Sequence, residues 1–261
     1  MLFRSVSVGA DVLTVSGIDA TQAVTLNPVT TGTVGLITGA TTTLTKGASG
    51  ALSLTAANTF GGNTVINAGS LILSGSGSLG AASYAGTVAI STGAVLRDSS
   101  STDQVLSGVI SGSGSVLKDT SASVLTLSGA NSYTGSTNVT SGVLSVSGAL
   151  SDTTAVDVST GATYSVVTTD TIGSLSGNGS VNVSAAKTLT TGGTNASSVF
   201  SGVISGDGGL TKTGTGTFTL SGTNTYTGMT TVAANATLKA GSTSAFGVGS
   251  AVTVTGTLDL V

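Results

Sequence analysis

Three lysines are the first candidates for chemistry, because the chain has neither histidine nor cysteine. A Ser-His-Asp arrangement and a cysteine nucleophile are both impossible, whereas a serine–lysine pair remains open. Lys46, Lys118 and Lys212 recur at equivalent positions of a repeated segment. A catalytic residue has no reason to occur three times. We therefore interpret these lysines as structural residues, solvated at a strand edge, where lysine also discourages edge-to-edge pairing.

Acidic residues offer a second route to chemistry, because most enzymes that cleave polysaccharides use paired carboxylates. Arg97, Asp98 and Asp103 form the nearest cluster, around the polar run SSST, and we interpret this cluster as a solvated loop. Asp152 and Asp157 have no partner that can be placed at the separation a glycosidase needs. The sequence thus predicts no enzyme, with a polysaccharide-active β-helix enzyme as the alternative.

Metal and ice binding are weaker alternatives. Asp207, between two glycines, is a single match to part of a calcium-binding β-helix repeat, and the acids do not recur with the repeat. The sequence therefore predicts no metal and no cofactor. Five alternating threonines are predicted to share one strand face, as in ice-binding solenoids, but in one repeat copy alone: Thr211, Thr213, Thr215, Thr217 and Thr219.

The composition favours an all-β chain. Glycine occurs 40 times, proline once, and charged residues make up 7 %, against roughly 25 % in ordinary domains. Hydrophobic residues reach 39 % at a formal net charge of −3, which argues against disorder. Seven scattered basic residues make no nucleic-acid-binding stripe. No apolar run approaches the ~18 residues of a membrane-spanning helix. The N-terminal residues lack the apolar stretch of an export signal, and we expect such a signal to lie outside this sequence.

Internal repetition is the strongest pattern in the sequence. Three segments align, at 44–73, 116–146 and 210–240. Each contains, in order, a lysine, an apolar pair, an asparagine, an aromatic residue and a glycine. Beyond the lysines, these positions are Leu52/Leu54, Leu125/Leu127 and Phe218/Leu220; Asn58, Asn131 and Asn224; Phe60, Tyr133 and Tyr226; and Gly62, Gly135 and Gly228.

The flanks of these segments repeat as well. Val105–Lys118 matches Val199–Lys212. A trailing apolar element, followed by a glycine turn at Gly93, Gly161 or Gly256, occurs three times, at 88–90, 156–158 and 252–254. We therefore divide the chain into a poorly aligned N-terminal part and three repeat units of one continuous solenoid: residues 1–32, 33–104, 105–198 and 199–261.

Short alternating runs between glycine and asparagine clusters predict strands with one buried face. Because the same residue types recur, we predict a right-handed parallel β-helix of roughly twelve coils, with equivalent strands stacked in register. In this fold the repeated asparagines are expected to cap turns or form ladders. The repeated aromatic residues are expected to pack at a corner, and the glycines to permit bends through positive φ angles.

The repeats resemble the autotransporter-associated β-strand repeat, whose pattern is close to G-G-L-T-K-x-G-x-G-x-L-x-L-S-G-x-N-x-Y-x-G-x-T-x-V. Residues 208–232 fit it at nearly every position, with Phe218 in place of the usual leucine. The second copy replaces the G-x-G run with residues 120–123, and the first copy has Ala56 for serine and Phe60 for tyrosine.

This resemblance implies the stalk of an autotransporter passenger, which supports secretion and surface display or adhesion. The implied partner is the protein's own C-terminal β-barrel translocator, in the outer membrane of a Gram-negative bacterium and outside this sequence. It implies an extracellular or surface location, and a role in virulence as an adhesin. Contacts with a host surface, or self-association through exposed coil ends, are further expectations.

Overall fold

Strands supply the regular structure of the chain. The computed structural model describes residues 6–8, 13–19, 24–81, 83–119 and 123–260, and these contain thirty strands and no helix. The paired strands run parallel, as in Val6–Val8 with Val24–Pro28 and Thr237–Ala240 with Thr257–Asp259. The prediction of an all-β solenoid is confirmed, and it has about twelve turns. Parts of the predicted N-terminal segment 1–32 lie outside the described residues.

The chain forms two compact units, Met1–Gly135 and Ser136–Val261. The strands of unit 1 are β1 Val6–Val8, β2 Leu13–Asp19, β3 Val24–Pro28, β4 Thr31–Thr38, β5 Leu44–Lys46, β6 Ala51–Leu54, β7 Thr64–Ile66, β8 Ser70–Gly75, β9 Val88–Ile90, β10 Val95–Ser100, β11 Gln104–Leu106, β12 Ile110–Gly112, β13 Ser115–Lys118 and β14 Val124–Leu127. Those of unit 2 are β15 Thr137–Val139, β16 Val143–Val146, β17 Ala155–Val158, β18 Thr163–Val166, β19 Asp170–Ile172, β20 Ser174–Gly177, β21 Ser180–Val183, β22 Thr188–Thr191, β23 Ser198–Phe200, β24 Val203–Ser205, β25 Gly209–Lys212, β26 Thr217–Leu220, β27 Thr230–Val232, β28 Thr237–Ala240, β29 Val252–Val254 and β30 Thr257–Asp259.

Each coil of unit 1 passes along up to three sides. The first side is the sheet β1-β3-β5-β7-β9-β12, and the second contains β2, β4, β6, β8, β10 and β13. The third side contains β11 and β14, which pair with each other, and the isolated bridges Ala57–Ser78 and Tyr84–Leu106. Successive strands along the chain therefore lie in different sheets, and the strands inside a sheet pair with strands of the coils before and after them.

Unit 2 is built in the same manner. Its coils pass through a sheet with β15, β17, β20, β23, β26, β28 and β30, a second with β16, β18, β21 and β24, and a third, β19-β22-β25-β27-β29. Partners in neighbouring coils are commonly twenty residues apart, as in Thr217 with Thr237 and, in unit 1, Thr31 with Ala51.

Alternation explains why these short runs become strands. In β14 and β26, buried and half-buried residues alternate, so that Leu125, Leu127, Phe218 and Leu220 face the interior. Side chains of a strand point to opposite faces with a period of two, which places one set in the core and the other in water. The predicted trailing elements are also strands, at β9, β17 and β29.

The expectation that equivalent strands stack in register is wrong for the first two repeat copies. Lys46 lies on β5, in the first side of unit 1, whereas Lys118 lies on β13, in the second. The register partners of Lys46 are Leu26 and Ile66, not another lysine. The second copy is therefore shifted by one side of the coil relative to the first, because the residues between them do not amount to a whole number of coils.

The predicted threonine row is also corrected. Thr211 lies on β25, Thr217 and Thr219 lie on β26, and these two strands belong to different sheets. Residues 213–216 form the bend between them. The five threonines thus do not share one strand face, since the chain turns a corner in the middle of the row.

The repeated glycines allow close approach between coils. Gly62, Gly135 and Gly228 do not have positive φ angles, contrary to our expectation. A Cβ atom at Gly135 would lie 2.1 Å from the carbonyl oxygen of Gly114 in the preceding coil. The equivalent oxygens are those of Thr42 for Gly62 and of Gly208 for Gly228, each 2.3 Å away. Glycine is thus required here by space, whereas Gly93 and Gly161 do have positive φ.

Gly135→Ala is expected to lower the free energy of unfolding by about 1–3 kcal/mol, because the added methyl group would force two coils apart. Urea denaturation followed by circular dichroism measures the change. Gly161→Asn is the control, since Gly161 has φ of 84° and nothing within 4 Å of its added Cβ, and asparagine tolerates this conformation. Equal stability of the Gly135→Ala and wild-type proteins would contradict the close-approach explanation.

Candidate functional site

The repeated polar and aromatic residues are buried in the interior of the coils. We call the lysine, asparagine and aromatic residue of one copy a repeat cluster. All nine side chains are at most 4 % exposed: Lys46, Asn58 and Phe60 in copy 1; Lys118, Asn131 and Tyr133 in copy 2; and Lys212, Asn224 and Tyr226 in copy 3. Burial of so many polar groups needs hydrogen-bond partners for each, and the clusters provide them.

The expectation of solvated lysines is wrong. Lys46, Lys118 and Lys212 occupy inward positions of their strands and are 0–1 % exposed. Their aliphatic stems fill core positions, as the register partners Leu26 and Ile66 of Lys46 illustrate.

The lysine amines of copies 1 and 3 reach backbone carbonyls at a corner of the coil. Lys46 Nζ donates to the carbonyl oxygens of Ala48 and, at 2.9 Å, of Ala68 in the next coil. Lys212 Nζ donates to those of Thr213 and, at 3.1 Å, of Gly214. Burial lowers the pKa of both lysines, since no anion compensates for the lost hydration.

The lysine of copy 2 has a different environment. Lys118 Nζ lies 3.4 Å from Asp98 Oδ2 and donates to Ser123 Oγ at 3.1 Å. In copy 2 the G-x-G run is also replaced by residues 120–123, of which 120–122 lie outside the described part of the chain. Its lysine is thus paired with a carboxylate where the other two copies use carbonyl groups.

Each asparagine holds the backbone of the preceding coil. Its Oδ1 accepts a hydrogen bond from an isoleucine N–H twenty or twenty-one residues earlier: Asn58 from Ile37 at 2.7 Å, Asn131 from Ile110 at 2.9 Å and Asn224 from Ile204 at 2.7 Å. The amide nitrogens of Asn58 and Asn224 donate forward, to the carbonyl oxygens of Ser78 and Ala245, both at 2.6 Å. These two asparagines therefore connect three successive coils.

In copies 1 and 3 a buried threonine lies beside the aromatic residue. The repeat pattern contains this threonine, but our sequence analysis did not select it as a candidate residue. Tyr226 shares a hydrogen bond of 2.6 Å with Thr230, which is fully buried. In copy 1, Phe60 has no hydroxyl group, and Tyr84 of a neighbouring coil bonds the equivalent Thr64 at 2.7 Å. The rings of Phe60 and Tyr84 meet edge to face with centroids 5.5 Å apart. Burial raises the pKa of Tyr84 to about 12, which keeps its hydroxyl protonated.

A fourth cluster of this kind lies outside the repeat copies. Asp170, 4 % exposed, accepts the N–H of Leu150 with both carboxylate oxygens at 3.2 Å, twenty residues back. The Tyr164 hydroxyl group donates to its Oδ2 at 3.4 Å. Burial, more than any other cause, raises the pKa of Asp170 to about 6, and Asp152 adds to the shift by repulsion. Here a carboxylate accepts the backbone N–H of the preceding coil, as the asparagine side chain does in the repeat copies.

The predicted acidic cluster is divided between the core and the surface. Asp98 is 1 % exposed, so the expectation of a solvated loop is wrong for it. Arg97 forms a salt bridge of 2.6 Å with Asp119, while the exposed Asp103 accepts the N–H of Val124 at 2.9 Å. These side chains have separate partners and form no shared catalytic centre.

Two of the other candidate acids also have hydrogen-bond partners. Asp157 accepts from Ser176 at 2.7 Å and Asp207 from Thr227 at 3.0 Å. Within the described ranges, no group of three potential metal-ligating side chains is assembled. A cleft of about 310 Å³ in unit 1 is lined by one acid, Asp103, and one of about 250 Å³ in unit 2 by Asp207. Neither cleft contains the pair of carboxylates that glycoside hydrolysis requires.

Comparison with known proteins identifies the repeats. The family model for the passenger-associated-transport-repeat matches residues 44–73, 119–146 and 210–240. These segments contain every cluster residue except Lys118, which lies one residue before the second match. No match was found among curated proteins or among solved structures. A helix able to cross a membrane is not found in the described residues. Three segments of this β-solenoid therefore match the passenger-associated-transport-repeat, which is consistent with a repeat fragment of an autotransporter passenger.

Proposed function

We propose that this chain is an extracellular structural stalk of an autotransporter passenger, which supports secretion and the surface display of adhesive parts. The matched repeat is a structural passenger repeat, and it implies a translocator as the partner and a secreted or surface location. The observation that carries the proposal is the hydrogen bonding of the clusters, in which asparagine or lysine side chains join neighbouring coils.

The mechanism follows from these bonds. A parallel solenoid gains stability one coil at a time, because each coil contacts only its neighbours. A cluster adds buried bonds that form only when the next coil is in place, as with Asn224 and Ala245. Coils that fold outside the cell would resist backward movement through the translocator, so the clusters would favour net export.

Leu220→Asp is expected to abolish surface display of the full-length protein. Leu220 is fully buried, and an unpaired carboxylate in its place would cost several kcal/mol. Surface levels are measured by antibody labelling of intact cells, with Val248→Asp as the matched control, since Val248 is 80 % exposed. Normal display of Leu220→Asp, with the solenoid unfolded in solution, would contradict a role of folding in export.

A further inference from the structure

Lys118 and Asp98 form a buried amine–carboxyl pair that distinguishes copy 2 from the other copies. They are register partners on β13 and β10, so their backbones are direct neighbours in the sheet. Both side chains are 1 % exposed, and Lys118 Nζ lies 3.4 Å from Asp98 Oδ2. In copies 1 and 3, the corresponding partners in the preceding coil are Leu26 and Thr191, which carry no carboxyl group.

The two oxygens of Asp98 have different surroundings. Oδ1 accepts the N–H of Ser100 at 3.1 Å, whereas Oδ2 is buried with no hydrogen-bond partner in the described structure. Ser123 Oγ accepts from Lys118 Nζ and donates to the carbonyl oxygen of Ser100. Oδ1 is therefore polarised as a carbonyl oxygen would be for nucleophilic attack, and Oδ2 is free to leave.

The surroundings also favour the neutral form of Asp98. Burial raises the pKa of Asp98, and the nearby Asp119 adds to the increase, against the opposing effect of Lys118. In a site that excludes water, transfer of a proton from the ammonium group to the carboxylate removes two buried charges. The products are the free amine and the neutral carboxylic acid that amide formation requires.

From this geometry we propose that Lys118 Nζ and Asp98 Cγ form an intramolecular isopeptide bond between neighbouring coils. The amine lone pair attacks Cγ, and the developing charge on Oδ1 is stabilised by the N–H of Ser100. The Cγ–Oδ2 bond then breaks, and Oδ2 leaves as water with the carboxyl proton and one proton from the attacking amine, which starts 3.4 Å away. The overall step joins an ammonium group and a carboxylate into an amide and one water, with no oxidant or reductant.

The proximity of the amine and carboxyl groups favours amide formation. The reacting groups are held by two strands whose register fixes their separation, and such positioning replaces an encounter between free groups by an effective concentration of about 10⁵ M or more. The chain has no cysteine, so a disulfide cannot link its coils. An amide at this position closes a covalent loop between residues 98 and 118 and would do so without an oxidising compartment.

Mass spectrometry of the refolded full chain tests this proposal. The bond makes the protein lighter by one water and protects Lys118 from trypsin. Digestion then yields a single fragment 98–187, lighter by one water, in place of fragments 98–118 and 119–187. Chain kept in denaturant is expected to show full mass and both short fragments. Full mass and cleavage at Lys118 after refolding and long incubation would overturn the proposal.

Lys118→Arg is the matched control, because it keeps the positive charge beside Asp98 without a nucleophilic amine. It is expected to retain full mass and to be cleaved at position 118. Cyclisation of Asp98 with its own backbone also removes one water, but it would persist in this variant and would leave cleavage at position 118 intact. Loss of water with normal cleavage at Lys118 would therefore count against the isopeptide bond.

Discussion

Asn224→Ala is expected to lower the free energy of unfolding by about 2–6 kcal/mol. The substitution leaves the N–H of Ile204 and the carbonyl group of Ala245 without the partners that Asn224 provides at 2.7 and 2.6 Å. Each buried polar group without a partner costs about 1–3 kcal/mol. Because both groups belong to neighbouring coils, the effect extends beyond the substituted coil. Urea denaturation at pH 7 measures the change.

Asn178→Ala is the matched control for this substitution. Asn178 is exposed, and the hydrogen bond recorded for it runs from its backbone N–H to Val158, which alanine preserves. We expect its free energy of unfolding to stay within about 0.5 kcal/mol of the wild-type value. If Asn224→Ala were as mild as this control, the cluster asparagines would not be the connections between coils that the hydrogen bonds indicate.

Asp170→Asn is expected to stabilise the protein at pH 7 and to flatten its dependence on pH. The pKa of Asp170 is raised to about 6 in the folded protein, against about 3.9 in an unfolded chain. The folded state therefore holds the proton more tightly. Its stabilisation is fully present below about pH 4 and is lost as the pH rises through about 6, by about 3 kcal/mol in all.

Asparagine removes this ionisation and keeps an oxygen for the N–H of Leu150, as the repeat asparagines do. The measurement is urea denaturation of both proteins at several pH values between 4 and 7. The difference between the two proteins is expected to grow with pH across this range, because other carboxyl groups titrate equally in both. A difference that is constant with pH would show that Asp170 does not titrate in the folded protein as described.

The lysines show how far the sequence could predict the clusters. The motif predicted strands and a solenoid, yet we expected Lys46 at a solvated edge. The alternation itself carried the missing signal: Leu44 and Lys46 are two residues apart on β5, so they point to the same buried face. We gave more weight to the general rarity of buried lysine than to this alternation. The partners of Lys46, carbonyl groups at a corner, depend on coil geometry that no residue type reveals.

Other features required the structure for physical reasons. The hydroxyl group missing from Phe60 is replaced by that of Tyr84, 24 residues later in the sequence, through contact between coils. The Asp170 cluster has no repeat motif around it, so only its hydrogen bond with Leu150 identifies it. Asp98 and Lys118 become neighbours through strand register, which depends on the length of every bend between them.

The shift of the second repeat copy by one side of the coil shows how such a solenoid can vary. The sides of unit 1 accept the same inward pattern, since Lys46 and Lys118 are buried equally well on different sheets. A gain or loss of chain equal to one side of a coil would keep the core filled, while all later outward residues would face a new direction. Duplication of these repeats can thus change the directions in which the outward side chains face, while the packing of the core stays the same.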